Sequence, residues 1–488
     1  MIEISDKKIS FDDLKKESFV LCKEDKFIKR IESSQKFLYT EMQNRPIYGV
    51  NTGFGESGKN GIQQLEDLQL NITRFHRVGV GELLSKEESR LIVLFRLISL
   101  SKGFSGVSFE LLERLEFMLQ NGGFPKIPSI GSVGASGDLT PLSYLASFVA
   151  GDSDQGLWFW QKFGLEEYKL KPKEGLALMN GTSVMSAIAF NSANKFEELL
   201  NITERFISGL FEVLGATKEP FAEKVHEVKP FFGQIESAKR MESYFSDSEK
   251  LETCRAESWK DGEKNIQDRY SLRCSPQILG TVWDTLKMVK NWIEIEVNSV
   301  NDNPIIDGEK KEIHSGCNFY GGYIAIGMDN LKISIANLAD LIDKELAVLI
   351  DYKFNNGLGE NLKLLKEPHH HGFKAMQITA SAISGEIIRN SAPASTLSRP
   401  TESLNQDKVS MGTTSAMNFK TSLELYEDLI SIALLSLAQA VDIRGKSGFS
   451  KSLLKLHSKI REISKPLFAD RPLDTDIFNL KNRLHLLQ

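Results

Sequence analysis

Long runs of helical periodicity constrain this chain more than any other feature. From Tyr323 past Leu349 the apolar residues Ile326, Leu331, Ile335, Leu338 and Leu341 recur near heptad-like spacing. Pro276 to Val300 reads as a second long helix, stopped by Asn301-Asp302-Asn303-Pro304. A third helical region opens near Asn180, which is placed to cap it, and carries Met185, Ile188, Ala189 and Leu199. A fourth, strongly apolar helix is expected from Leu423 to Val441. Alternation of period two is almost absent. Helices of this length are stable only when their apolar faces pack on one another. The expected fold is therefore mainly α: an elongated bundle of long antiparallel helices, with the loops that carry chemistry at its ends.

A chain of 488 residues exceeds what one small core needs. Two regions with a soft boundary are expected: 1–200, an N-terminal region carrying the Tyr48 loop and the Ala135-Ser136-Gly137 triplet, and 201–488, the central long-helix bundle with a C-terminal helical region. Residues 1–46 read as a charged segment with one or two short helices. A hairpin is expected around Gly308, and surface loops with short helices over 216–265, including the charge run 261–264. After Val441 a charged tail is expected. The formal net charge of −5 leaves no basic surplus to bind nucleic acid or an anionic membrane. Met1 to Lys8 lacks the apolar core of a signal peptide, and the apolar stretch near Leu429 to Val441 is too short to span a bilayer. Cys22, Cys254, Cys274 and Cys317 lie far apart without CxxC spacing, as reduced thiols of a cytoplasmic protein do. His369, His370 and His371 are adjacent, so their side chains diverge; with no second ligand cluster they read as a solvated loop and no metal is expected.

The chemistry is carried by Gly131-Ser132-Val133-Gly134-Ala135-Ser136-Gly137-Asp138, which runs into a helix that Asp138 or Thr140 can cap and in whose first turn Pro141 is preorganised. Without a Cβ, Gly137 brings its amide nitrogen close to another backbone carbonyl. Attack on the Ala135 carbonyl closes a five-membered ring. Loss of water from the ring and from the Ser136 hydroxyl leaves an exocyclic methylidene, which is a strong electrophile. The adjacent helix start supplies positive backbone potential for negative charge arriving there. Alone, an Ala-Ser-Gly triplet is more often an ordinary cap.

Several blocks accompany it. Tyr48-Gly49-Val50-Asn51-Thr52-Gly53-Phe54-Gly55 is a glycine-dense loop expected to be mobile, with Tyr48 as a possible aromatic anchor. Ser85 and Glu88 form a capping box before an amphipathic helix through Leu91, Leu94, Phe95 and Ile98, and a further helix runs from Ser108 to Asn121-Gly122-Gly123. Arg273, in Gln267-Asp268-Arg269-Tyr270-Ser271-Leu272-Arg273-Cys274, is suited to a carboxylate, although an arginine in such a stretch is more often in a structural ion pair.

The run from Gly131 to Ser143 closely resembles the signature of the aromatic amino acid ammonia-lyases and aminomutases. That family makes 4-methylideneimidazole-5-one (MIO) from its own Ala-Ser-Gly. The blocks at Tyr48, Asn180, Gln267–Cys274 and Asn405–Gly412 also match, so the resemblance covers most of the chain. It implies the ammonia-lyase type of helical bundle, a homotetramer whose active sites each draw on three chains, and an aromatic L-amino acid as substrate. It further implies an electrophile built from Ala135, Ser136 and Gly137, with no metal or nucleotide. Tyr48 is implied as the base at the substrate β-carbon, and it can remove that proton if the field near the electrophile lowers its pKa. Arg273 and Asn180 are implied to hold the substrate carboxylate, and Asn180, Gln267 and Tyr270 to tune the prosthetic group. Phe75 and His76 are implied to sort substrates. Phe319 lies in a block resembling Gly-Asn-Phe-His-Gly, with Tyr320 where histidine is common.

Gln406, where histidine lyases of the family usually carry glutamate, favours tyrosine or phenylalanine and a trans-aryl acrylate product. Phe75-His76 fits no subgroup cleanly. A histidine ammonia-lyase giving urocanate and an aromatic 2,3-aminomutase remain as alternatives, and a non-catalytic helical scaffold as the rival class.

Overall fold

The computed structural model describes residues 1–258 and 265–487; the charge run 261–264 lies outside them. The fold is mainly helical, the bundle that the periodicity predicts. Its long helices are Ser183–Leu214, Ser275–Val297, Gly322–Ile350 and Gly412–Arg444. The last begins well before Leu423, because Gly412 to Asn418 already pack as helix. The region after it is no unstructured tail: Lys451–Ile463 and Asp474–Lys481 are helices, and Leu453, Leu456 and Ile460 are buried. Among the described residues, no helix is long and apolar enough to cross a membrane.

Two compact units emerge in place of one division near residue 200. The first comprises 1–192, 288–329 and 393–418; the second comprises 193–287, 330–392 and 419–488. The first unit is discontinuous because two distant loops fold onto its glycine-rich turn. Met411 N–H donates to the Val133 carbonyl at 3.0 Å, and a Cβ on Gly134 would lie 2.2 Å from Ser410 Oγ. Residues after Val297 tie in likewise, with Asn298 bonded to Ile9 in both directions at 2.9 Å.

Within the first unit, helices Leu65–His76, Leu139–Ala150 and Glu174–Met179 pack against one another. The capping box at Ser85 and Glu88 is present, but helix Lys86–Leu100 is buried on every side from Leu91 onward, so over that length it has no solvated face. Helix Phe109–Asn121 starts on Ser108, whose Oγ accepts from Leu111 N–H, and ends on left-handed Gly122. The N-terminal region holds one 17-residue helix, Asp25–Glu41, and a parallel strand pair, Ile2–Ile4 with Phe19–Leu21. The Gly308 hairpin forms as expected, Ile305–Asp307 pairing with Glu312–His314.

The second unit is built on aromatic and polar core contacts. Phe196 meets Phe419 edge to face at 5.4 Å, and Thr203 and Tyr426 share a hydroxyl hydrogen bond of 2.8 Å. Buried Glu204 accepts from Ser237, Arg240 and Trp283. The region 216–258 contributes Phe221 and Phe245 to this core and is less superficial than its polarity suggests. The triple-histidine loop is organised by Asp470, which accepts from the backbone N–H of His371 and Gly372 at 2.7 and 3.0 Å.

Candidate active site

The glycine-rich turn is held in an unusual backbone state. Gly134, Ser136 and Gly137 have φ of +77°, +52° and +79°, so Ser136 sits in the left-handed region that non-glycine residues rarely adopt. Glycine is required at 137 on two counts. Its φ is positive, and a Cβ would lie 2.2 Å from the Gly181 carbonyl oxygen, a backbone atom that cannot swing away. The Gly181 carbonyl instead accepts from Asp138 N–H at 2.8 Å.

Asp138 stands at the N-cap position of helix Leu139–Ala150, but its carboxylate does not cap that helix. It reaches the start of the next long helix, accepting from Val184 N–H at 3.1 Å and Met185 N–H at 2.9 Å, and from Ser132 and Thr413 hydroxyls. Burial pushes its pKa up to about 6, although all four donors pull the other way. Asn180 likewise departs from the cap expected of it. It ends the short helix Glu174–Met179, while the long helix starts at Ser183. Its side-chain amide donates to the Ser136 carbonyl at 2.8 Å.

A cavity of about 570 Å³ opens over this turn, within the first unit. Tyr48, Phe75, His76, Ala135, Ser136, Asn180, Phe319 and Gln406 all line it. Gly137 lies behind them, against Gly181. The Tyr48 hydroxyl accepts from Gly55 N–H at 2.8 Å, and the loop is tied down by a Gln69 amide on the Gly49 carbonyl and by the 3-10 turn Gly55–Lys59. Burial raises the Tyr48 pKa above that of an ordinary phenol. The Gly55 N–H opposes the shift and the Glu402 carboxylate adds to it. On balance the chain's own groups near this phenol favour its neutral form.

Phe75 and His76 end helix Leu65–His76, with ring centroids 4.1 Å apart. His76 Nδ1 is 3.0 Å from the Ile72 carbonyl oxygen. A carbonyl only accepts, so Nδ1 carries the proton; burial holds the ring neutral and leaves the Nε2 lone pair as an acceptor. Gln406 accepts from the Thr401 hydroxyl at 2.8 Å, and its amide is 3.4 Å from Ser136 Oγ.

Glu402 is the residue that reading the sequence missed. It lines the same cavity, accepts from Glu56 N–H at 3.2 Å, and occupies the space that a side chain at Gly55 would need. Glu402, Ser403 and Leu404 have φ of +53°, +52° and +67°, a left-handed turn with no glycine to announce it. Its one sequence signal was a carboxylate four residues before Gln406.

Gln267, Tyr270 and Arg273 belong to the second unit and are not among the residues lining this cavity. Gln267 and Arg273 line a separate cavity of about 310 Å³ with Thr217, Glu219 and Gln277. Tyr270 is exposed, and the Arg273 guanidinium stacks over its ring at 4.6 Å. Arg273 Nε is buried with no hydrogen-bond partner among the described residues.

A half-buried Ala-Ser-Gly turn with Ser136 and Gly137 left-handed, contacted by an amide and sharing one cavity with a phenol and a carboxylate, is the arrangement of an enzyme, not of a scaffold. Residues 14–462 match the family model for aromatic amino acid lyases. The chain belongs to that family, and is an enzyme of carbon–nitrogen lyase chemistry. It is 35% identical over 461 residues to a probable histidine ammonia-lyase of Thermoplasma volcanium, covering 92% of this chain and 90% of that protein. It is 37% identical over 459 residues to the MIO-dependent tyrosine 2,3-aminomutase of Streptomyces globisporus, covering 89% and 85%. The crystal structure of a tyrosine aminomutase from Streptomyces globisporus superposes with a TM-score of 0.94 at 32% identity, covering 100% of this chain and 97% of that one.

Proposed function

We propose that the protein eliminates ammonia from an aromatic L-amino acid, tyrosine or phenylalanine, to give a trans-aryl acrylate. The observation that carries this reading is the Asn180 amide on the Ser136 carbonyl, with Gly137 pressed against Gly181 and Tyr48 lining the same cavity. The residues present fit MIO. The only residue that tolerates the close approach stands at 137, and a donor already faces the one carbonyl oxygen that the ring would retain. When formed, MIO supplies an electrophile that turns the substrate's amino nitrogen into a better leaving group.

The chain's own residues do the rest. Asn180 stabilises negative charge on the Ser136 oxygen. The Glu402 carboxylate is suited to the substrate ammonium. Tyr48 takes the β-proton through its hydroxyl oxygen, and the Gly55 N–H stabilises the phenolate when it forms. Arg273, Gln267 and Tyr270 reach the site from neighbouring copies in a cytoplasmic homotetramer with shared active sites. Absorbance near roughly 300 nm from the matured ring, with product analysis on tyrosine, phenylalanine and histidine, tests the proposal. Acrylate and free ammonia support it. A β-amino acid product would establish the aminomutase reading that the Streptomyces relative favours, and urocanate from histidine alone would overturn the substrate assignment.

Two substitutions bear on recognition. Arg273→Lys keeps the charge but loses the planar two-point contact with a carboxylate, so kcat/KM should fall about tenfold to a hundredfold. Unchanged kinetics would remove Arg273 from the site. His76→Leu deletes the Nε2 acceptor. Leaving a buried phenol unpaired costs about 1–3 kcal/mol, whereas a phenylalanine ring loses nothing. The tyrosine-to-phenylalanine ratio of specificity constants should shift toward phenylalanine by roughly tenfold or more. Equal slowing of both would make His76 structural.

A further inference from the structure

Beneath the site, helix Lys86–Leu100 carries an arginine that is wholly buried. Arg96 is 0% exposed, and among the described residues it donates to no carboxylate. Its Nη1 donates to the Asn180 carbonyl at 2.9 Å, and its Nη2 donates to Ser99 Oγ at 2.8 Å and Asn301 Oδ1 at 2.9 Å. Asn301 continues to the Thr182 hydroxyl at 2.9 Å. Burial lowers the Arg96 pKa only to about 10, so the group remains a cation at neutral pH. Its hydrogen-bond partners are neutral, and the carboxylates of Asp302 and Asp138 nearby offset only part of the cost of burying the cation, so apolar packing would serve a helix core better. Its geometry indicates what it does instead.

The guanidinium grips the segment 180–182. A Cβ on Gly181 would lie 2.0 Å from Arg96 Nη1 and 2.6 Å from Asn301 Oδ1, so the segment passes directly over the fork. On its other side the same segment meets the electrophile turn at two places. The Asn180 amide donates to the Ser136 carbonyl, and the Gly181 carbonyl accepts from Asp138 N–H, the bond that bridges Gly181 to Gly137. Displacing 180–182 would therefore release the turn at both.

We propose that Arg96 is a positioning residue for formation of the electrophile, holding 180–182 rigidly against Ala135-Ser136-Gly137 so that ring closure is favoured. This rests on the electrophile reading above. The covalent change is balanced without any oxidant. The Gly137 nitrogen bonds to the Ala135 carbonyl carbon, whose oxygen leaves as water with the hydrogens of the Gly137 and Ser136 nitrogens. The Ser136 hydroxyl then leaves with its Cα hydrogen as a second water. Arg96 takes part in neither bond; it acts through the Asn180 carbonyl.

Intact-protein mass reads the lost waters directly, independently of turnover. Wild type, Arg96→Lys and Ser99→Ala are purified as full chains, with melting temperature and helicity recorded for each. Lysine keeps the charge but cannot span the Asn180 carbonyl and Asn301 together, so Arg96→Lys should fold and lose its waters about tenfold more slowly or worse. Ser99→Ala, which loosens one arm of the fork, should show a smaller delay at unchanged melting temperature. Folded Arg96→Lys that matures as fast as wild type would overturn the proposal. If Arg96→Lys does not fold, a fully matured Ser99→Ala overturns it, and a delayed one supports it. Wild type without the mass loss would instead sink the electrophile reading, and this inference with it. A slow-maturing variant with a wild-type melting temperature is the outcome that a merely structural arginine would not produce.

Discussion

Ser136→Ala should reduce turnover of every aromatic amino acid by roughly three orders of magnitude or more, while leaving the protein folded. Without the hydroxyl, the second water of electrophile formation cannot leave, and no methylidene can form. The same side chain does little for stability: among the described residues its one polar contact is a 3.4 Å approach by the Gln406 amide. Its backbone, already left-handed, is no more strained as alanine. The variant should therefore melt within a few degrees of wild type and lack absorbance near roughly 300 nm. Wild-type turnover by this variant would mean that the chemistry lies elsewhere.

Tyr48→Phe should cost about a hundredfold to ten-thousandfold in kcat, the range for losing a positioned proton acceptor. It keeps the ring that meets Phe54 edge to face, and forfeits only the bond from Gly55 N–H. The pH profile distinguishes proton transfer from packing. Burial raises the Tyr48 pKa above its ordinary value near 10, so at neutral pH a small fraction is ionised and that fraction grows with pH. For wild type, kcat/KM should accordingly rise toward alkaline pH, close to tenfold per unit, until the phenol is ionised. Tyr48→Phe should flatten that limb. A preserved limb in the variant would assign it to another group. Near-normal kcat would make Tyr48 the aromatic anchor that its loop also needs.

The amino-acid sequence alone determined the parts that depend on near neighbours. Periodic apolar residues over Tyr323–Leu349 and Pro276–Val300 place long helices, because helical faces are set by residues three and four apart. The capping box at Ser85, the cap at Ser108 and the hairpin at Gly308 are equally local. Ala135-Ser136-Gly137 is the basis for proposing an electrophile because that chemistry needs only three consecutive residues, and the matching blocks named the family. Tertiary structure decided what depends on distant partners. Whether Asp138 caps its own helix or the next depends on where Val184 and Met185 lie, and the same holds for Asn180 and the Ser136 carbonyl. The buried face of helix Lys86–Leu100 was hidden by its polar residues, since Arg96 is internal only because Asn180 and Asn301 supply its acceptors. The direction of the Tyr48 shift came from desolvation, which no single stretch encodes. Glu402 entered the site through a left-handed turn that its residues do not favour on their own, and only surrounding contacts can hold it there.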